Sequence, residues 1–368
     1  MNTLRRPPFR ADQVGSLLRP AALAEARQRC KRGDLSAAAL RELEDQSIAD
    51  AVRRQRDIGL QAVTDGEFRR DWWHLDFLGL LGGVTMVTND GPKFKIAGQS
   101  EQPPIPTVTG RISCDGPMMA DHFAYLKSIA GDAVPKMTIP SPSMLHLRGG
   151  RASIARAVYP DMDLFWDDVA AAYRGAIRHL ADAGCRYLQL DDVSFAYLCD
   201  PTVRARSAAN GDDPDALPQR YARTINEALQ GRPDDMVVTI HTCRGNCKSA
   251  WVAEGGYDPV VEAMFATDVD GYFMEFDNAR AGGFDPLKAL PRGKQVVLGL
   301  VTTKLGELES KDDLKRRIDE AARFVPLDQL CLSPQCGFSS THHGNALSMD
   351  DQWRKLERVV EVAGEVWG

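Results

Sequence analysis

MVVTIHTC, residues 236–243, is an apolar, β-branched run of strand length whose last residues are a histidine and a cysteine two positions apart. The same design recurs: YLQLDD (187–192), GYFMEF (271–276), QVVLGLVT (295–302) and LCLSPQC (330–336) are each a short apolar run followed by polar or reactive side chains. Near-continuous apolar runs are what strands covered on both faces require. Upstream, RADQVGS (10–16), QAVTDGEF (61–68) and PKMTIPSP (135–142) read as three more, giving eight strands.

Helical periodicity fills the intervals. SAAALRELEDQSIADAVRRQRDIG (36–59) carries apolar residues at helical spacing and ends in Gly. DLFWDDVAAAYRGAIRHLADAG (163–184), ALPQRYARTINEALQ (216–230), KDDLKRRIDEAARFV (311–325) and DQWRKLERVVEVAGEV (351–366) continue the pattern. Eight strands with intervening helices predict an α/β fold, a closed parallel (β/α)8 TIM barrel forming a single domain over residues 1–368. A doubly wound sheet is the alternative, but no glycine-rich loop follows the first strand to cradle a dinucleotide phosphate. The stretch 78–116 breaks the rhythm; its NDG turn signal (89–91) and β-branched residues predict a hairpin insertion after strand two, acting as a rim or lid.

Composition narrows the function. A formal net charge of -6 disfavours nucleic acid or an anionic membrane as partner, and there is no run of eighteen uncharged apolar residues. The N-terminus MNTLRRPPFRADQ lacks the apolar core of a secretory signal, so a soluble, cytoplasmic protein is expected. Eight cysteines among 368 residues are too sparse for a disulfide framework. Of these, Cys30, Cys114, Cys185 and Cys331 are expected to pack in the core.

In a barrel, the ends of all strands share one rim, so His241, Cys243, Glu275 and Cys336 fall on the same face. Residues i and i+2 of an extended segment point the same way, which lets His241 and Cys243 meet one ion. Two thiolates and one imidazole suit zinc, with a carboxylate able to complete a tetrahedron. The competing reading is that a strand cysteine is a small buried hydrophobe. A redox pair is the weaker option, since Cys243 and Cys247 form CxxxC and not CxxC.

VGSLLRP (14–20), DGEFRRDWW (65–73), HTCRGN (241–246), FMEFDNARAG (273–282), VVLGLVTTKLGELE (296–309) and LCLSPQCGFSS (330–340) closely resemble the short, single-barrel relatives of cobalamin-independent methionine synthase. The resemblance runs over nearly the whole chain and implies a catalytic Zn2+ held by His241, Cys243, Glu275 and Cys336. It further implies that Ser16 helps hold the carboxylate of homocysteine and that Glu67 and Asp191 bind its ammonium group. Asp191, Glu67 and Glu275 are the residues expected to act in catalysis. Arg69, Trp73 and Lys304 are added as substrate-binding residues, with Arg70, Trp72 and His74 beside them; Asp192, His74 and Lys304 are alternative proton carriers.

One element departs from the resemblance. Full-length methionine synthases of this family carry Asp-x-His-Ser after strand seven, where Thr302, Thr303 and Lys304 stand here. Within these residues the resemblance implies one barrel only, without the other, N-terminal barrel that contributes to folate binding in full-length methionine synthases. The expected partners are therefore a small-molecule thiol and a methyl or alkyl donor (a methylfolate, methylcobalamin or another compound), with a homo-oligomer or a corrinoid-protein donor also open. The leading expectation is methyl transfer to homocysteine, forming methionine. The alternative is a zinc-dependent thiol alkyltransferase resembling epoxyalkane:coenzyme M transferase; a non-enzymatic zinc or thiol-binding protein is the third reading.

Overall fold

The structure is a computed structural model that describes residues 6–88 and 104–368. Its centre is a six-stranded parallel sheet in the order β5–β6–β7–β8–β9–β10, with β5 at Met137–Pro140, β6 at Tyr187–Asp192, β7 at Val237–Thr242, β8 at Gly271–Glu275, β9 at Gln295–Val301 and β10 at Leu330–Pro334. Every residue of β5 to β8 and of β10 is buried, as in parallel strands covered on both faces. A second pair, β1 (Ala62–Val63) and β4 (Val134–Pro135), is also parallel, and Lys136 N donates to Val63 O at 2.8 Å, so β4 leads directly into β5.

The first expected strand, RADQVGS, is reduced to a single bridge between Ala11 and Leu332 of β10, and the second to two residues. The physical reason lies in the side chains. Asp12 accepts hydrogen bonds from Phe9 N (3.1 Å), Gln13 N (2.8 Å) and Tyr187 Oη (2.8 Å), which ties this segment to its own turn. Between it and β1, amide side chains replace the ladder: Gln13 Nε2 donates to Gln55 Oε1 (2.9 Å) and to Thr64 Oγ1 (3.1 Å). Gln55 then donates to Thr64 O (2.9 Å) and accepts from Thr64 N (3.0 Å), and Thr64 Oγ1 donates to Gly15 O (2.6 Å). The result is a mixed α/β fold with a central parallel sheet, consistent with a TIM-barrel-like catalytic domain.

The helices follow the sequence pattern closely. Ala37–Asp57 is capped by Ser36, whose side chain accepts from Ala39 N (3.1 Å), and it is followed by Gly59 at φ 93°, a left-handed position that ends the segment at little steric cost. Met162–Asp182 buries Phe165, Trp166, Val169, Tyr173, Ile177 and Leu180 at helical spacing. Leu217–Ala228, Lys311–Ala321 and Met349–Trp367 occupy the remaining expected positions, the last starting with a Ser348–Asp351 capping box. Helices Ala21–Lys31, Ala120–Ile129, Pro201–Ala209 and Val261–Phe265 were not anticipated; of these only Pro201–Ala209 has a side-chain cap, from Asp200.

The excursion after β1 contains an antiparallel pair, β2 (Gly82–Val87) with β3 (Ile105–Ser113), and Val108 of β3 is fully buried beside Ile154. The expected NDG turn lies outside the described residues. Cys185 and Cys331 are core residues as expected, whereas Cys30 and Cys114 are part-exposed. Among the described residues, no helix is long and apolar enough to cross a membrane.

Candidate metal centre and its cavity

The parallel registers bring the strand ends together. Asp191 of β6 is paired with His241 of β7, and His241 in turn with Phe273 of β8. Cys243 lies one residue past β7, and Cys336 two past β10. The ligand atoms of His241, Cys243 and Cys336 all fall within 4.8 Å of one another, with the two sulfurs 3.4 Å apart. All three residues are buried, and among the described residues neither ring nitrogen of His241 has a hydrogen-bond partner. An imidazole left unsatisfied beside two thiols makes a candidate metal-binding cluster, with donors that suit a soft-to-borderline divalent ion.

Electrostatics agree with the packing. The Cys243–Cys336 contact and His241 hold the Cys336 thiol well below its usual range, while the same contact pushes Cys243 well above it. Burial alone would lower the His241 pKa, but Cys336, Asp191 and Glu275 outweigh it and raise it. Gly245 N donates to Cys243 Sγ at 3.3 Å. Gly337 is required by close approach: a Cβ there would lie 2.0 Å from Ser16 Oγ.

Glu275 stands apart from this trio. It is fully buried; Oε2 accepts from Arg244 N (2.7 Å), and Oε1 is paired with Arg280 and lies 3.8 Å from Lys304 Nζ. The expected fourth ligand is thus held by cations beside the cluster.

A cavity with an empty volume of about 990 Å³, counted out into its open mouth, is lined by all three cluster residues together with Ser16, Glu67, Trp73 and Asp191. Glu67 takes φ 59°, a strained conformation for a side-chain-bearing residue, held by Asp65 Oδ1 accepting from its N–H at 2.8 Å. Its Oε1 accepts from Thr138 Oγ1 (2.7 Å) and sits 3.5 Å from Arg70 Nη1, while Oε2 is buried without a partner among the described residues. Burial raises the Glu67 pKa against the opposing pull of Arg70 and Thr138. Asp191 is pushed up to about 7, by burial first and then by Glu67, against His241. Its Oδ1 accepts from Gln189 Nε2 at 2.7 Å.

Other expected residues lie elsewhere. Arg69 does not line the cavity; it pairs with Glu44 (3.3 Å) and Asp45 (2.5 Å) on the helix behind. Asp192 does line it, but its oxygens accept from Ser143 Oγ (2.8 Å), Ser194 Oγ (2.6 Å) and Phe195 N (3.1 Å). Lys304 is buried next to Glu275 and outside the cavity lining. Thr303 is bound up with Gln335 and Asn246.

Sequence reasoning assigned no role to Arg148, Tyr197, Arg206 or Asn246, which also line the cavity. Asn246 Nδ2 donates to Thr303 Oγ1 (2.9 Å) and Gly337 O (3.0 Å), leaving Oδ1 buried and unpartnered among the described residues. Its place inside HTCRGN was the one available signal.

Residues 9–365 match the family described as "Cobalamin-independent synthase, Catalytic domain". The chain is 50% identical to "Uncharacterized protein YxjG" of Bacillus subtilis over 99% of its own length and 96% of that protein's. A solved Listeria monocytogenes protein described as "Putative Vitamin-B12 Independent Methionine Synthase" is 39% identical, with a TM-score of 0.79 and coverage of 99% of this chain and 100% of that one. More distantly, 22% identity links 92% of the chain to 42% of the Thermotoga petrophila 5-methyltetrahydropteroyltriglutamate--homocysteine methyltransferase, so it spans less than half of that relative. On this evidence the chain belongs to the cobalamin-independent methionine synthase family.

Proposed function

We propose that this protein is a zinc-dependent methyltransferase that moves a methyl group to the thiol of homocysteine, forming methionine. The observation that carries the reading is the buried trio His241, Cys243 and Cys336 opening onto a cavity that also holds Glu67 and Asp191. These three residues would hold the zinc ion, and Glu275, now held apart by Arg280 and Lys304, would serve as the reserve oxygen ligand. Zinc supplies one thing when bound: it lowers the pKa of a coordinated thiol so that a thiolate persists at neutral pH.

The chain's own residues do the rest. Glu67 offers its unpartnered Oε2, and Asp191 its carboxylate, to an ammonium group, whose charge offsets their burial. Ser16, packed against Gly337, is positioned for the carboxylate. Two acids in one cavity disfavour the sulfonate tail of the alkyltransferase alternative. The N-terminal segment and β1, bridged by side chains, complete a closed (β/α)8 barrel in a single domain with the β2–β3 hairpin at its rim, and the protein acts in the cytoplasm. The alteration at Thr302–Lys304 points to a donor other than methylfolate.

The test is zinc-edge X-ray absorption on the zinc-loaded protein, with methionine formation followed for each donor. Two sulfurs and a nitrogen are expected, with another sulfur when L-homocysteine is added. Fewer than two sulfurs rejects the ligand set, and an unchanged shell with homocysteine rejects the acceptor.

A further inference from the structure

Arg148 is a cation with no counter-charge among the described residues. It follows the short helix Met144–Leu147 after β5 and lines the cavity. Its guanidinium makes no ion pair or hydrogen bond with the described residues, and its Nε is buried without a partner. The groups that act on its charge are Tyr197, Cys247 and Arg206, after burial itself; none is a carboxylate, and Arg206 repels it. Arg148 is half-buried with its charge facing the cavity, and a second arginine nearby adds repulsion that no described carboxylate offsets. Such an arrangement is stabilised when an anion enters.

His74 supplies a second observation. It is fully buried, lines the same cavity, packs against Trp73 with ring centroids 4.5 Å apart and planes tilted by 41°, and neither of its nitrogens has a partner among the described residues. Burial, then Arg148, holds its pKa well below the usual value, so it stays neutral and has one N–H to donate.

Arg148 is not among the charges that act most strongly on the acids assigned to the acceptor's ammonium. The charges that shift Glu67 most are Arg70, Asp65 and Arg19, and those that shift Asp191 are His241, Glu67 and Arg70. Arg148 is in neither set. A homocysteine gripped by Ser16, Glu67 and Asp191 leaves Arg148 without a partner.

We propose that Arg148, with His74 and Arg206 beside it, forms a subsite for an oxyanion, a carboxylate or phosphate, carried by the methyl donor. This rests on the reading of Glu67 and Asp191 as the acceptor site. A planar guanidinium receives such a group through paired hydrogen bonds, and the ring of Trp73 offers an apolar wall for the rest of the donor.

The test uses the zinc-loaded full chain and three probes, titrated by calorimetry: L-homocysteine, p-aminobenzoyl-L-glutamate as the carboxylate and inorganic phosphate as the phosphate. At least one anion should bind, and the one that does identifies the oxyanion. Arg148→Met should weaken it by about 10-fold or more, Arg148→Lys should retain part of the binding, and homocysteine affinity should change by less than about twofold, as for a residue outside its site. In the wild type, saturating homocysteine should leave the anion's affinity intact, a comparison that needs no variant to fold. Binding of neither anion, competition between anion and homocysteine, or equal losses for both in Arg148→Met overturns the subsite. Failure of the wild type to bind homocysteine counts against the methyl-transfer reading, whereas intact homocysteine binding without any anion binding counts against the subsite alone.

Discussion

Replacing Glu67 by Gln separates recognition of an amino acid from recognition of a thiol. The substitution is nearly isosteric. Thr138 Oγ1 still has an oxygen to donate to, and the Asp65 contact that holds the φ 59° backbone involves the main-chain N–H of residue 67. What changes is Oε2, a buried acceptor without a partner among the described residues, which becomes an NH2 facing the ligand's ammonium. A hydrogen bond to a charged group contributes about 1.5–3 kcal/mol, so homocysteine binding should weaken by about 10- to 150-fold. A thiol of the same length without the amine should lose less than about threefold. Stability should fall by less than the ~3–5 kcal/mol of a broken tight buried ion pair, because Arg70 sits 3.5 Å from Glu67 and keeps its 2.6 Å bond to Thr138 O. Calorimetric titration of the two thiols into wild type and Glu67→Gln, with a urea melt as control, gives the comparison. Equal losses for both thiols would refute the assignment of Glu67 to the ammonium group.

Cys336→Ala should abolish stoichiometric zinc binding, measured by elemental analysis, while far-ultraviolet circular dichroism stays native; full zinc retention would remove Cys336 from the ligand set. Arg280→Gln should free Glu275 from its cation and tighten zinc by about threefold or more in chelator competition, and weaker binding would show that Arg280 positions the ligand. Asp191 is raised by burial, so its contribution to the stability of the metal-free fold is complete below its unfolded value near 3.9 and is lost as pH climbs through about 7. Asp191→Asn should therefore gain on wild type by on the order of a few kcal/mol between pH 4 and 8 in urea melts, and a constant difference would contradict that. Turnover should be better with a donor other than methylfolate, and efficient methylfolate turnover with none on methylcobalamin would contradict the reading of Thr302–Lys304.

The five later strands were legible because each is an apolar run bounded by Gly, Asp or Pro and buried along nearly its whole length. The first two were overextended because Gln13, Gln55 and Thr64 place side-chain amides and a hydroxyl where backbone pairing was expected, and no periodicity announces that substitution. The trio was visible as ligand chemistry at strand ends. Which of two neighbouring arginines faces inward was not: Arg70 reaches Glu67 while Arg69 turns to Glu44, a choice made by packing against the helix 37–57. Arg148 and Asn246 enter from loops, whose paths carry no pattern to read.

The amide bridge between the N-terminal segment and β1 is a clasp and not a weld. A run of ladder hydrogen bonds fails cooperatively, whereas a few side-chain contacts open locally at a lower free energy. Ser16 stands just beyond one side of the clasp and Glu67 just beyond the other, with Leu17 N donating to Gly66 O at 3.0 Å as their backbone link. On the proposed assignment, an amino acid gripped by both residues would span the gap like a rivet, so binding energy and the integrity of this flank would become one quantity. A ligand held this way would finish the wall that encloses it, and the stiffness of the empty protein there is set by how tightly two glutamines hold a threonine.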